Sequence, residues 1–185
     1  MLTEEPISAK ELAKKFVSGV LKEMVADPRP PCDAGSKPVW NVEVKHVLRH
    51  MGRRFGYITY LEWASLDVMW WAKSPERMVL AAESEMANSP DSVEADFEKL
   101  PSFKCHFKLL AFSTDVETVK KNAEDYLQLF GQHVQGEEYL LVGFAASGPQ
   151  CLHFQVPHDG KLGTVSFDEL RFSNESASSY PFGFL

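Results

Sequence analysis

Three carboxylates stand out in the centre of the chain because their neighbours are almost all apolar. Asp67 lies within the run Leu-Asp-Val-Met-Trp-Trp, and Glu83 and Glu85 come directly after Val-Leu-Ala-Ala. A carboxylate in such a segment is costly unless it lies at a strand end or faces a polar site. If residues 77–86 form a strand, Glu83 and Glu85 project from the same face, about 7 Å apart. These three residues are therefore the first candidates for chemistry.

Asp67 and Glu83 approach each other if the strands that carry them are neighbours in a sheet. Carboxylates held close together repel, and a bound hard cation relieves the repulsion. Mg²⁺ or Mn²⁺ would keep several water ligands, one of which could attack a phosphodiester. The simpler interpretation is that Glu83 and Glu85 are solvated residues at a strand end and that Asp67 is a turn or edge residue.

The elements that must position these residues are predicted from hydrophobic periodicity and from capping and turn signals. Amphipathic helices are predicted at residues 7–26, 39–52, 89–100 and 114–131. Strands are predicted at residues 57–63, 66–72, 77–86, 104–112, 139–146, 151–156 and 163–167. This order predicts an α/β or α+β domain in which helices flank a central mixed β-sheet.

The domain organisation follows from length and from two biased segments. A chain of 185 residues fits one domain, which we expect to span residues 1–172 around a core at 39–146. Residues 27–38 contain four prolines and are predicted to be a loop. The tail at 173–185 is Ser-rich and polar, and it is expected to be flexible.

Residues 39–113 show the order helix, strand, Asp-bearing strand, Glu-x-Glu strand, helix, strand. This order resembles the αβββαβ core of the PD-(D/E)XK, or restriction-endonuclease-like, nuclease superfamily. In that family an Asp and a Glu bind a divalent metal, and a nearby Lys usually positions the attacking water. The resemblance implies that Asp67 and Glu83 bind Mg²⁺ or Mn²⁺, with the main-chain carbonyl of Ser84 as a further ligand.

The third position of the family motif differs in this chain. Glu85 stands where the family usually has Lys, although some members carry Glu there. Other members supply the Lys from the next helix, and Lys99 could be such a residue. In resolvase-like members a further Glu comes from the first core helix, where Glu43 is the acidic candidate.

Two functional hypotheses follow, and the sequence leaves both open. In the first, the protein hydrolyses DNA phosphodiester bonds: Asp67 and Glu83 hold the metal, Glu85 assists the metal or the water, and Lys99 orients or activates the nucleophile. In the second, it is a catalytically inactive protein of the same fold that acts as a binding or assembly module. A homodimer is a possible assembly. A third interpretation is an unrelated α+β domain whose acidic cluster is incidental.

Composition limits the partners that we expect. The net charge of −7 disfavours general binding to nucleic acid, except through a local group of basic residues. The most basic stretch is the helix predicted at 39–52 with the residues that follow it, and it could contact phosphates or simply be a solvated face. Its histidines, His46 and His50, are expected to be solvated because no third metal ligand is apparent.

The remaining features favour an ordinary intracellular domain. The three cysteines include no Cys-x-x-Cys pair, which predicts free thiols in a reducing cytoplasm. No apolar run approaches ~18 residues, so no membrane span is expected. Trp63, Trp70 and Trp71 are expected in the core, with base stacking as the alternative.

Overall fold

The computed structural model describes residues 7–26, 39–86, 90–113, 117, 120–121, 134–145, 148–156 and 168–171. Three helices lie wholly within these ranges, α1 (Ala9–Ala26), α2 (Val39–Arg54) and α3 (Pro90–Lys99), and a short 3₁₀ turn, Leu100–Ser102, follows α3. The strands are β1 (Ile58–Trp63), β2 (Leu66–Lys73), β3 (Glu76–Glu85), β4 (Phe107–Phe112), β5 (Glu138–Ala145), β6 (Gly148–Gln155) and β7 (Asp168–Arg171).

In the part of the chain described, the seven strands form one mixed sheet in sequence order. β1, β2 and β3 are an antiparallel meander, β3, β4 and β5 are parallel, and β5, β6 and β7 are again antiparallel. The parallel pairing of β3 with β4 requires a crossover, which α3 supplies. The predicted fold class, a mixed sheet flanked by helices, is confirmed.

Helices cover both faces of the sheet, and each face has its own apolar core. Alternate residues of β2 and β3 explain the division, because successive side chains of a strand point to opposite faces. Val68, Trp70 and Leu80 pack with α1 and α2. Met69 and Ala81 pack on the other side with Val93, Phe97 and Leu100 of the α3 region.

Local polar contacts fix the ends and the docking of the helices. The Ser8 hydroxyl accepts a hydrogen bond from the Glu11 main-chain N–H at 3.2 Å, half of the predicted capping box. The fully buried Trp70 donates its indole N–H to the carbonyl of Leu48 at 3.0 Å, which fixes α2 over β2. Trp70 therefore lies in the core as predicted. The prediction is wrong for Trp63, which is 51% exposed.

Several element boundaries differ from those predicted. β4 begins at Phe107 rather than Lys104, because the residues before Phe107 lie outside the ladders with β3 and β5. β7 was not predicted, since its sequence Asp-Glu-Leu-Arg lacks apolar alternation. The strand predicted at 163–167, the loop at 27–38, the tail and most of the helix at 114–131 lie outside the described residues. Among the described helices, none is long and apolar enough to cross a membrane.

The close approach of α2 to the sheet can be tested at Gly52. A Cβ at this position would lie 2.5 Å from Cγ2 of Thr59 and 2.6 Å from Nε1 of Trp70. We expect Gly52→Ala to lower the free energy of unfolding by about 1–3 kcal/mol, because overpacking outweighs the gain in helix propensity. Urea denaturation measures the change, with Val42→Ala on the exposed side of α2 as a control expected within about 0.5 kcal/mol. Equal stability of Gly52→Ala and the wild type would contradict this packing.

Candidate functional site

The strand register places acidic residues side by side at one end of the meander. Val68, the residue after Asp67, pairs with Ala82, the residue before Glu83, across β2 and β3. Leu61 pairs with Val68 and Trp63 with Leu66 across β1 and β2, which places Glu62 beside Asp67. Glu62, Asp67 and Glu83 therefore lie at the same end of three consecutive strands and form one acidic row.

Asp67 is held on both carboxylate oxygens. Its Oδ1 lies 3.0 Å from Nζ of Lys45 on α2, and its Oδ2 accepts the main-chain N–H of Ser84 at 2.9 Å. Lys45 also contacts Oε1 of Glu62 at 2.5 Å. Burial lowers the pKa of Lys45, but its bonds to Glu62 and Asp67 outweigh that effect and raise the pKa overall. A charged ammonium therefore bridges two of the three acidic residues.

Glu83 has the most unusual environment of the three. Only 2% of its surface is exposed, and its Oε1 has no hydrogen-bond partner. Its Oε2 lies 3.4 Å from Nζ of Lys99, which also contacts Asp96 at 2.6 Å. Burial, together with the negative charges of Asp67 and Asp96, raises the pKa of Glu83 to about 8, against the opposing effect of Lys99. The side chain is therefore mostly protonated at neutral pH.

A side chain of α2 ties down the end of β3. Oδ1 of Asn41 accepts the main-chain N–H of Met86 at 2.8 Å and lies 3.2 Å from the Ser84 hydroxyl, which donates to it. These bonds bracket Glu85, which is half-buried and lies two residues after Glu83 in the same strand. The amide and hydroxyl of Ser84 thus have structural partners, and the metal-binding role of its carbonyl stays a prediction.

The structure brings together most, but not all, of the residues singled out from sequence. Asp67 and Glu83 lie at the same end of adjacent strands, close enough for the charge of Asp67 to act on Glu83, and Lys99 reaches Glu83 from α3. From α2 it is Lys45, and not the acidic candidate Glu43, that contacts Asp67. The contacts of Lys45 and Asn41 were not predicted, because both residues lie on the polar side of an amphipathic helix, where most residues are solvated.

Asp67 and Glu83 are the residues of this site that could hold a hard cation. Within the described ranges, no group of three or more His, Cys, Asp or Glu side chains could hold a metal ion. Mg²⁺ is often bound by only one or two carboxylates and keeps several waters. Two carboxylates, one with a buried and unsatisfied oxygen, match that requirement.

A second buried polar cluster, around Lys108, lies on the α3 side of the sheet. Lys108 of β4 is fully buried, contacts Oε2 of Glu137 and lies 3.2 Å from the Tyr139 hydroxyl. Oε2 of Glu137 also accepts the main-chain N–H of Val134. Burial lowers the pKa of Lys108, although its pairing with Glu137 opposes the change. A lysine within Phe-Lys-Leu-Leu-Ala-Phe was a sequence signal for such a cluster, which joins β4 to β5.

Comparisons with known proteins give no identification. Neither the models of protein families nor the curated protein sequences match this chain. The similarity to the nuclease superfamily therefore depends on the order of the elements and on the carboxylates alone.

The environment of Glu83 predicts a specific dependence of stability on pH. Because its pKa is raised from 4.5 to about 8 by folding, its contribution to stability is fully present below about pH 4.5 and is lost as the pH rises through about 8. In metal-free buffer, the free energy of unfolding should fall by about 2 kcal/mol more in the wild type than in Glu83→Gln between about pH 6 and pH 9.

Urea denaturation at each pH measures this difference. Glu98→Gln is the matched control, since Glu98 is an exposed glutamate of α3 close in sequence to Lys99. It should follow the wild-type curve. Parallel curves for the wild type and Glu83→Gln would show that Glu83 ionises normally in the folded protein.

Proposed function

We propose that this protein is a metal-dependent phosphodiesterase that acts on DNA. The observation that carries the proposal is the buried carboxyl group of Glu83, on which the negative charge of Asp67 acts and one oxygen of which has no hydrogen-bond partner. Buried polar atoms without partners are rare in folded proteins, and their presence calls for a ligand or another explanation. A divalent cation would satisfy this oxygen and offset the repulsion between the two side chains.

The residues that would hold the cation are Asp67, Glu83 and the main-chain carbonyl of Ser84, with Glu85 beside them. A bound Mg²⁺ or Mn²⁺ would lower the pKa of a water ligand and polarise the phosphoryl oxygens. Asp67 is preorganised for this role, because the Ser84 N–H and Lys45 fix its orientation. Such fixed ligands lose little freedom when a cation binds.

Lys99 suits orientation of the nucleophile better than its activation. Burial lowers the pKa of Lys99, but the contacts with Asp96 and Glu83 outweigh burial and raise it. The side chain is therefore a charged ammonium, which donates hydrogen bonds and cannot accept a proton. It can orient a water molecule and stabilise negative charge on the phosphate, while Asp96 holds it in place.

The charge distribution supports a nucleic-acid substrate. Between Val44 and Leu61 the chain has four Lys or Arg residues and no Asp or Glu, although the whole chain carries a net charge of −7. This segment comprises most of α2, the following turn and most of β1, and its Arg53 and Arg54 are exposed. Exposed basic residues on the helix that also supplies Lys45 to the acidic row offer contacts for a phosphate backbone.

Cleavage assays with linear and supercoiled DNA test the proposal. We expect cleavage that requires Mg²⁺ or Mn²⁺, and a loss of at least about 100-fold in Asp67→Asn and Glu83→Gln, because each removes a metal ligand. Lys99→Met should lose about 10- to 100-fold while still binding Mn²⁺ in isothermal titration. Glu98→Gln should retain wild-type activity and serves as the control. Cleavage that persists in both carboxylate variants would refute the assignment.

One observation favours the alternative of a catalytically inactive binding or assembly module. Nζ of Lys45 lies 3.0 Å from Asp67 and Nζ of Lys99 lies 3.4 Å from Glu83, so ammonium groups could occupy the place of a metal. This alternative predicts flat titrations with Mg²⁺ and Mn²⁺ and no cleavage by the wild type. Sedimentation would then identify whether the partner is a second copy of the chain.

A further inference from the structure

The second half of α2 has a solvent side made only of basic residues. From residue 45 to the end of the helix, every polar side chain is Lys, Arg or His, namely Lys45, His46, Arg49, His50, Arg53 and Arg54. The other residues of this stretch are buried, namely Val47, Leu48, Met51 and Gly52. At 3.6 residues per turn, the basic side chains form two adjacent rows, each with a spacing of four residues. We call these two rows the basic face of α2.

The single sign of charge sets this face apart from the other helices. The chain has 26 acidic and 19 basic residues, and the polar sides of α1 and α3 carry both signs. On α1, Lys15 contacts Glu11 at 2.7 Å, and on α3, Lys99 contacts Asp96 at 2.6 Å. The helix dipole favours cations only near the last turn. It therefore accounts for the basic residues at the end of α2 and leaves the earlier ones unexplained.

The basic face begins at the acidic row. Nζ of Lys45 lies 3.0 Å from Oδ1 of Asp67 and 2.5 Å from Oε1 of Glu62. Arg49 and Arg53 follow Lys45 in the same row, about 6 and about 12 Å further along the helix axis. The charge of Lys45 is offset by its two acidic partners, whereas Arg53 is exposed. A line of positive charge therefore leads away from the proposed metal site along α2.

The pattern of the face identifies its occupant as a phosphate backbone. A line of cations matches a polymer whose anions are regularly spaced. Each strand of duplex DNA has one phosphate per about 3.4 Å of helix axis, so about three phosphates of a strand fit along the face. Binding in a membrane surface would require an exposed apolar side on the helix. The apolar side of α2 is instead buried in the core against the sheet.

We infer that the basic face of α2 binds the DNA backbone on one side of the bond that is cleaved. This inference rests on the proposed function and narrows its substrate to polymeric DNA. A mononucleotide or dinucleotide at Asp67 is too short to reach Arg53 and Arg54, so it would gain nothing from the far end of the face. Contacts with the backbone position DNA without reading its bases, so the face adds affinity and not sequence preference.

Fluorescence anisotropy with a labelled DNA duplex tests the inference. The titrations are done in EDTA, so that binding is measured without metal and without cleavage, at salt concentrations from about 50 to 200 mM. We expect Arg53→Gln and Arg54→Gln each to reduce the slope of log K against log salt by about 0.9, and the double variant by about 1.8. An unlabelled duplex should displace the label, and a dinucleotide at the same phosphate concentration should not.

Arg77→Gln is the matched control, because it removes the same charge from an exposed arginine. Arg77 pairs with Ala72 at the end of the meander away from Asp67. Its salt slope should equal that of the wild type. An equal reduction in all three single variants would overturn the inference, because the attraction would then depend on net charge and not on α2.

The remaining outcomes separate this inference from the proposed function. Duplex binding that depends on Arg53 and Arg54 supports the basic face even if no metal-dependent cleavage is found. Cleavage by the wild type together with unchanged salt slopes in both variants would overturn the basic face and leave the proposed function standing. No measurable duplex binding by the wild type would overturn it too. So would binding to anionic phospholipid vesicles that exceeds DNA binding and is lost in the double variant.

Discussion

The antiparallel register of β2 and β3 is the constraint on which the candidate site depends. It brings Asp67 and Glu83 to the same end of the meander, in surroundings that exclude most water from Glu83. Burial and the negative charge of Asp67 both oppose the ionisation of Glu83 and raise its pKa. A shift of one residue in the pairing would move either side chain to the other face of the sheet. The register thus creates an electrostatic conflict that the surrounding residues must offset.

The protein offsets this conflict from both faces of the sheet. α2 supplies Lys45 to Asp67, and α3, on the other face, supplies Lys99 to Glu83. Each helix is held in place by its own apolar core, so the two ammonium groups are positioned by packing that is independent of the carboxylates. Lys99 does not fully compensate for burial and for the nearby negative charges, so Glu83 favours its protonated form at neutral pH. Under the proposed function, a divalent cation would take the place of this proton.

The sequence was sufficient for those features that depend on local pattern. Periodicity located α1, α2 and α3 and the strands of the meander, and consecutive strands usually pair, which brought Asp67 and Glu83 together. The helix-borne partners could not be predicted in the same way. In the sequence, Lys45 and Asn41 resemble solvated residues. Only the docking of α2 on the sheet decides which polar residues of the helix gain partners.

Two further differences between the predicted and the observed structure also have physical causes. Trp63 has the side chain of a core residue, but in the described sheet β1 is an edge strand, and the left-handed backbone of Glu62 interrupts the alternation just before Trp63. β7 lacks the alternation of apolar and polar residues that identifies strands in a sequence. It is a strand because it pairs with β6, and that pairing is a tertiary contact. Membership of the nuclease superfamily and the catalytic roles stay predictions, since element order and a few carboxylates are weaker signals than a family motif.

The most direct measurement of the central claim is an anomalous difference map from crystals grown with Mn²⁺. The account predicts a peak between the carboxylates of Asp67 and Glu83, about 2.0–2.3 Å from an oxygen of each. It also predicts that Lys99 moves away from Glu83 when the ion binds. Full occupancy of Mn²⁺ elsewhere, or crystals grown at saturating Mn²⁺ in which Lys99 still contacts Glu83 and no peak lies nearby, would contradict it.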